Sequence, residues 1–183
     1  MIATAIFRLR VSKSQHPFLA DYLNVSKEIY NAANQEYREA IRLGYIPPDR
    51  DDQFRSLTII RRDIPKFQQY PANLLRGAVQ RLHNGLKVAK ALKKKGYKVS
   101  KPRYKKEFDS FTFNEFAGIR IKGNKLLFGG QSFKMIVSKS HPLPDTKIKM
   151  ATLKKKNNKW YVYLVYEKPD QQYVKNGKVL GID

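Results

Sequence analysis

Twelve Lys and Arg side chains lie between Arg76 and Lys106, and no acidic residue interrupts them. Cations in a row match the phosphates of a polynucleotide, where each contact releases condensed counterions. The row ends in Lys101-Pro102-Arg103-Tyr104-Lys105-Lys106, which sets an aromatic ring among the charges. Such a ring stacks on a base while its neighbours hold the backbone. The plain alternative is a solvated basic helix followed by a Lys-rich loop. The charge of the whole chain weighs against it.

The 183 residues carry 37 Lys and Arg against 15 Asp and Glu, a net charge of +22 and a pI near 10.1. Residues 1–70 hold 11 basic and 8 acidic side chains, a net of +3; the remaining 26 and 7 give residues 71–183 a net of +19. Self-repulsion of that size destabilises a compact chain unless an anionic partner or salt screens it. Nucleic acid is the expected partner and an anionic membrane surface the weaker one. The composition, 42% hydrophobic and 28% charged, is that of a globular protein. No apolar run reaches the roughly 20 residues of a spanning helix, and the N-terminus lacks a signal-peptide layout. Without cysteine there is no disulfide or thiolate metal site, and His16, His83 and His141 match no ligand spacing.

The elements that must position these charges change type along the chain. Ile2–Val11 alternates, with Ala3, Phe7, Leu9 and Val11 on one face and Thr4, Arg8 and Arg10 on the other, which predicts a strand with a basic face. Ser12 to Gln15 has the form of a capping box. The helix after it carries Phe18, Tyr22, Ile29, Ala33, Tyr37 and Ala40 on one stripe and ends at Gly44. Asp51 and Asp52 are expected to cap a second helix with Phe54, Leu57 and Ile64 facing inward, closed by Pro65. Pro71 suits the start of the basic helix, whose stripe is Leu75, Ala78, Val79, Leu82, Leu86 and Ala89. From Phe108 the period is two, with short runs separated by Gly123-Asn124 and Asn157-Asn158 turns. The reading is α+β: a small antiparallel β-barrel, begun at the N-terminus, interrupted by a helical insertion and resumed near residue 107.

In this order the residues resemble the N-terminal part of the transposon-encoded TnpB (OrfB-type) proteins, RNA-guided DNA endonucleases. Ala5-Ile6-Phe7-Arg8-Leu9 is similar to the family's opening strand, and Glu28-Ile29-Tyr30-Asn31 to its Val-Tyr-Asn helix motif. Tyr70 to Leu82 resembles its Pro-Ser-x-x-Leu helix. Lys101-Pro102-Arg103-Tyr104-Lys105 resembles its Gly-Phe-Pro-Arg-Phe-Lys segment, and Lys159-Trp160-Tyr161-Val162 its Lys-Trp-Tyr-Val strand. Gly181-Ile182-Asp183 resembles the start of the RuvC nuclease domain. Ser100-Lys101 stands where Gly-Phe is usual, and Asn73 where Gln is frequent.

The resemblance implies an OB-like wedge barrel made of residues 1–11 and 107–170, a helical recognition lobe over 12–106, and a linker with the beginning of a RuvC domain over 171–183. It implies guide RNA, target DNA and duplex DNA bearing a short adjacent motif as partners, with guide pairing supplying the sequence specificity. Asn73, Arg76 and Gln80, spaced on the outward edge of the basic helix, would read that motif. Arg8, Arg10, Lys87, Lys90, Lys94, Lys95, Lys101, Arg103, Tyr104 and Lys105 would hold backbones or stack on bases. Asp183 would be the first carboxylate of an incomplete nuclease site. Two-metal cleavage needs several converging carboxylates, so Mg²⁺ is expected for an intact parent nuclease and no cofactor, and no cleavage, for this chain alone. A prokaryotic cytoplasmic, nucleoid-associated location follows from the same likeness. Two other readings stay open: a stand-alone transposon-derived DNA-binding or RNA-binding repressor without nuclease activity, and a ribosomal-type RNA scaffold. The terminal Gly-Ile-Asp has no purpose in the last.

Overall fold

Alternation at the N-terminus produces β1 (Ile2–Arg10), in which Ala5, Phe7 and Leu9 are buried and Thr4, Arg8 and Arg10 exposed. The computed structural model describes residues 1–168. After β1 come a 3₁₀ turn (Lys13–Gln15), α1 (His16–Arg42), α2 (Arg50–Asp63), α3 (Pro65–Gln68) and α4 (Ala72–Lys94). Six strands follow: β2 (Ser110–Phe113), β3 (Arg120–Lys122), β4 (Lys125–Phe128), β5 (Gln131–Met135), β6 (Ile148–Lys156) and β7 (Lys159–Glu167). The class is α+β. The segment 171–183, Asp183 included, lies outside the described residues.

The cap of α2 is Asp49, two residues before the pair of aspartates expected to supply it. Asp49 accepts from the main-chain N–H groups of Asp51 and Asp52, both at 2.8 Å, and Asp52 returns a bond to the Asp49 N–H. Asp51 and Asp52 occupy the first turn instead, where carboxylates meet the positive end of the helix dipole. At the other end Ile64 is extended, as a residue before proline must be, and Pro65 opens the single turn of α3 rather than closing α2.

The seven strands form one antiparallel sheet in the order β2-β6-β7-β1-β5-β4-β3, curled into a half-barrel. β1 lies near its middle, pairing with β7 over Ile2–Leu9 and with β5 at Leu9 and Arg10. The helices thus fall between the first strand and the rest. The Gly123 turn joins β3 to β4 and the left-handed Asn157-Asn158 pair joins β6 to β7.

A closed barrel is not reached, because β2 and β3 do not pair with each other. Helix α1 takes the concave side instead. Phe18 lies 5.7 Å from Phe128 and 6.2 Å from Phe133, while Tyr22 lies 5.5 Å from Phe111 and 5.4 Å from Phe128. Rings at such separations pack edge-to-face or offset, and fill the space that a closing strand would need. One hydrophobic core therefore serves helices and sheet together.

Two glycines permit this docking. A Cβ on Gly77 of α4 would collide with the main-chain oxygen of Thr112 in β2. One on Gly129, in the β4–β5 turn, would collide with Phe18 and Tyr22. Helix backbone meets strand backbone only where the side chain is missing.

Candidate nucleic-acid interface

Helix α4 has two halves. Leu74, Leu75, Ala78, Val79 and Leu82 are buried against α1 and β2. Leu86 and Ala89, the end of the expected stripe, are only half-buried, and every residue from Lys90 to Lys101 is exposed. The helix leaves the body of the protein after its third turn, so Lys87, Lys90, Lys93, Lys94 and Lys95 ring a projecting tip. Val88, 59% exposed, and Leu92 lie among them.

Beyond the tip the chain returns along α1 and is pinned there. Asn31 Nδ2 donates to the Lys105 carbonyl at 2.9 Å, and Asn31 Oδ1 accepts the Lys105 N–H at 2.8 Å. Asn34 Nδ2 and Arg38 Nη1 both donate to the Pro102 carbonyl, at 3.2 and 3.3 Å. The Arg38 guanidinium sits 5.2 Å from the centre of the Tyr104 ring, a cation–π contact. Residues 102–105 thereby become a strap whose backbone is fixed while Lys101, Arg103 and Lys105 stay exposed. Tyr104 is 50% exposed, with Arg38 against its ring.

Between Lys87 and Lys106 no cation takes part in an ion pair among the described residues. The pairs that do form use Arg50, Arg55, Arg62, Lys66, Arg81, Lys149 and Lys154. Exposed ion pairs contribute little to stability. Here, though, their absence leaves the charge of tip and strap unneutralised and available to an outside anion.

The residues expected to read a motif are placed differently. Arg76 is half-buried, not outward, with its guanidinium 5.5 Å from the Phe54 ring centre. It borders a cleft of about 660 Å³ between α2 and α4, which Arg61 and Arg62 also line. Gln80 donates to Asn84 Oδ1 at 2.8 Å and accepts from Arg50 at 3.4 Å. Asn73, also half-buried, is one turn earlier on the helix. Arg8 and Arg10 are exposed on β1, remote in sequence from the strap.

Reasoning from sequence missed Arg61, Arg62 and the Phe54 platform, since a second helix with acidic caps gives no hint of a cationic far end. It also missed the pinning role of Asn31, Asn34 and Arg38. The spacing of those three, at 31, 34 and 38, places them on one face of α1, which was the available signal.

The helices that carry this surface are tied by a buried relay. Gln53 Nε2 donates to the Ala33 carbonyl at 2.8 Å and to Glu36 at 2.9 Å, and Gln53 Oε1 lies 2.8 Å from His83 Nε2. Gln53 Oε1 can only accept, so His83 Nε2 donates to it, and burial lowers the His83 pKa from its ordinary 6.5.

No group of three His, Asp or Glu side chains converges as a metal site among the described residues. No helix among the described residues is long and apolar enough to cross a membrane. Comparison with models of known protein families and with curated proteins gives no match for this chain.

Proposed function

We propose that this chain is the nucleic-acid-binding N-terminal portion of a TnpB-like, RNA-guided DNA endonuclease, gripping guide RNA and its heteroduplex with target DNA. The observation that carries the binding reading is the run of unpaired cations on the α4 tip and the pinned strap. Cations on a fixed backbone lose less freedom on meeting a phosphate row than cations on a loose loop. Asn31 supports the family reading. It belongs to the Tyr-Asn pair of the resemblance, and its two hydrogen bonds reach the Pro-Arg-Tyr-Lys segment that is another part of it. The half-barrel supports a wedge-like role for the sheet, and the arginine cleft beside Arg76 supports motif reading near α4.

A titration of structured RNA and of duplex DNA across salt concentrations tests the proposal. Counterion release requires a steep fall in affinity. Binding that hardly changes with salt would remove the electrostatic basis of the reading.

A further inference from the structure

A second cationic feature lies at the end of the sheet, where β1 and β7 finish beside the start of α1. Leu9 stands opposite Trp160 in the ladder, and Arg8 opposite Tyr161. The Asn157-Asn158 turn brings Lys159 to the same end, and His16 opens α1 there. Together Arg8, Arg10, His16, Asn158, Lys159 and Trp160 line a cavity of about 260 Å³.

Its chemistry is one-sided. No acidic residue lines it. The side chains of Arg8, Arg10, His16 and Lys159 have neither an ion pair nor a hydrogen bond among the described residues. Trp160 lies on the buried face of β7, its ring against Phe111, so the charged donors at the opening are the exposed side chains of Arg8, Arg10 and Lys159. Arginine and lysine supply donors and no acceptor, so the complementary ligand is a compact oxyanion. The volume falls below the roughly 300 Å³ at which pockets for larger ligands begin.

We propose that this cavity is a phosphate site, seating one phosphate group through Arg8, Arg10, Lys159 and His16. It shares phosphate chemistry with the binding reading above but stands on a separate surface. The phosphate can belong to a nucleic-acid strand or be free in solution, and the two are separable.

Trp160 is the single tryptophan of the chain, so its fluorescence reports on this cavity. The full chain is titrated with inorganic phosphate at an ionic strength held constant with potassium chloride. A saturable change in emission is expected. Arg8→Gln with Arg10→Gln, both exposed positions, should weaken it at least tenfold while circular dichroism stays unchanged. Lys122→Gln with Lys125→Gln, which removes the same charge at the far edge of the sheet, should leave it intact. Oligonucleotides of one sequence, with a 5′-phosphate or a 5′-hydroxyl, then compete. Displacement by the phosphorylated strand alone assigns the site to a strand end. Equal displacement by both assigns it to internal phosphodiesters, and displacement by neither to a free phosphate. No saturable response, or an equal response in the Arg8/Arg10 variant, overturns the site. Salt-dependent RNA binding that persists in that event leaves the binding reading standing.

Discussion

The Asn31 carboxamide holds both main-chain groups of Lys105, 74 residues away, with bonds of 2.9 and 2.8 Å. A side-chain amide that donates and accepts at once imitates a neighbouring strand. It converts a lysine-rich loop into a surface with a fixed register. Asn34 and Arg38 repeat the grip at Pro102, so three positions of α1 define where the exposed cations stand.

Asn31→Ala should therefore loosen the strap without unfolding the protein. Two exposed hydrogen bonds are lost, and each contributes about 1 kcal/mol or less. The Lys105 amide should exchange with solvent several-fold faster by hydrogen–deuterium exchange, and RNA affinity should fall although no cation is removed. Unchanged exchange at Lys105 would show that the strap is held by something other than Asn31.

Two glycines of α4 should respond in opposite directions. Gly77→Ala drives a methyl group into the Thr112 main chain and should cost about 1–3 kcal/mol by overpacking. Gly85 has open space around its missing Cβ, so Gly85→Ala should stabilise by about 0.5–1 kcal/mol through helix propensity. Thermal unfolding of the two variants checks the pair. Equal shifts would contradict the backbone-to-backbone docking of α4 on β2.

His83 makes stability pH-dependent. Its folded value is lowered by burial from the ordinary 6.5, so the unfolded chain takes up the proton first as pH falls. Stability from this group is fully present above about 6.5 and declines as pH drops from there toward the folded value. His83→Gln should flatten the melting temperature against pH in that window. A melting curve equally steep in the variant would place the titration elsewhere.

A variant at Arg76 tests whether reading and gripping are separate. Its guanidinium is held against Phe54 at the edge of the arginine cleft, a fixed position suited to one base edge or phosphate. Arg76→Ala should change the preference among duplexes differing in a short motif by about 1–3 kcal/mol at one position. A survey over randomised duplexes measures it. An equal loss for every sequence would reduce Arg76 to a cation among others.

Periodicity made most of the framework legible. The strand β1, the stripes of α1 and α4, and two of the hairpin turns all follow from spacing alone. A third two-residue turn, Gly129-Gly130, joins β4 to β5, and paired glycines of positive φ suit it. Barrel closure was not legible, because it depends on Phe18 and Tyr22 occupying the concave face, a contact between residues distant in sequence. The cationic stretch was visible as composition, but its division into tip and strap was not. That division depends on where α4 runs out of core, after Leu82, and on which carbonyls Asn31, Asn34 and Arg38 reach. For Arg76 the sequence suggested an outward face, whereas Phe54 of α2 draws its guanidinium into the cleft.

The most direct measurement is the slope of log affinity against log salt for structured RNA and duplex DNA, comparing the full chain with Lys101→Ala/Lys105→Ala. Each duplex-DNA phosphate contact contributes about 0.9 to the slope, and each single-strand contact about 0.7. If the pinned strap holds backbones, the double variant should weaken every sequence alike and flatten the slope by about 1–2. An unchanged slope, with affinity intact, would contradict the strap as a phosphate-gripping surface.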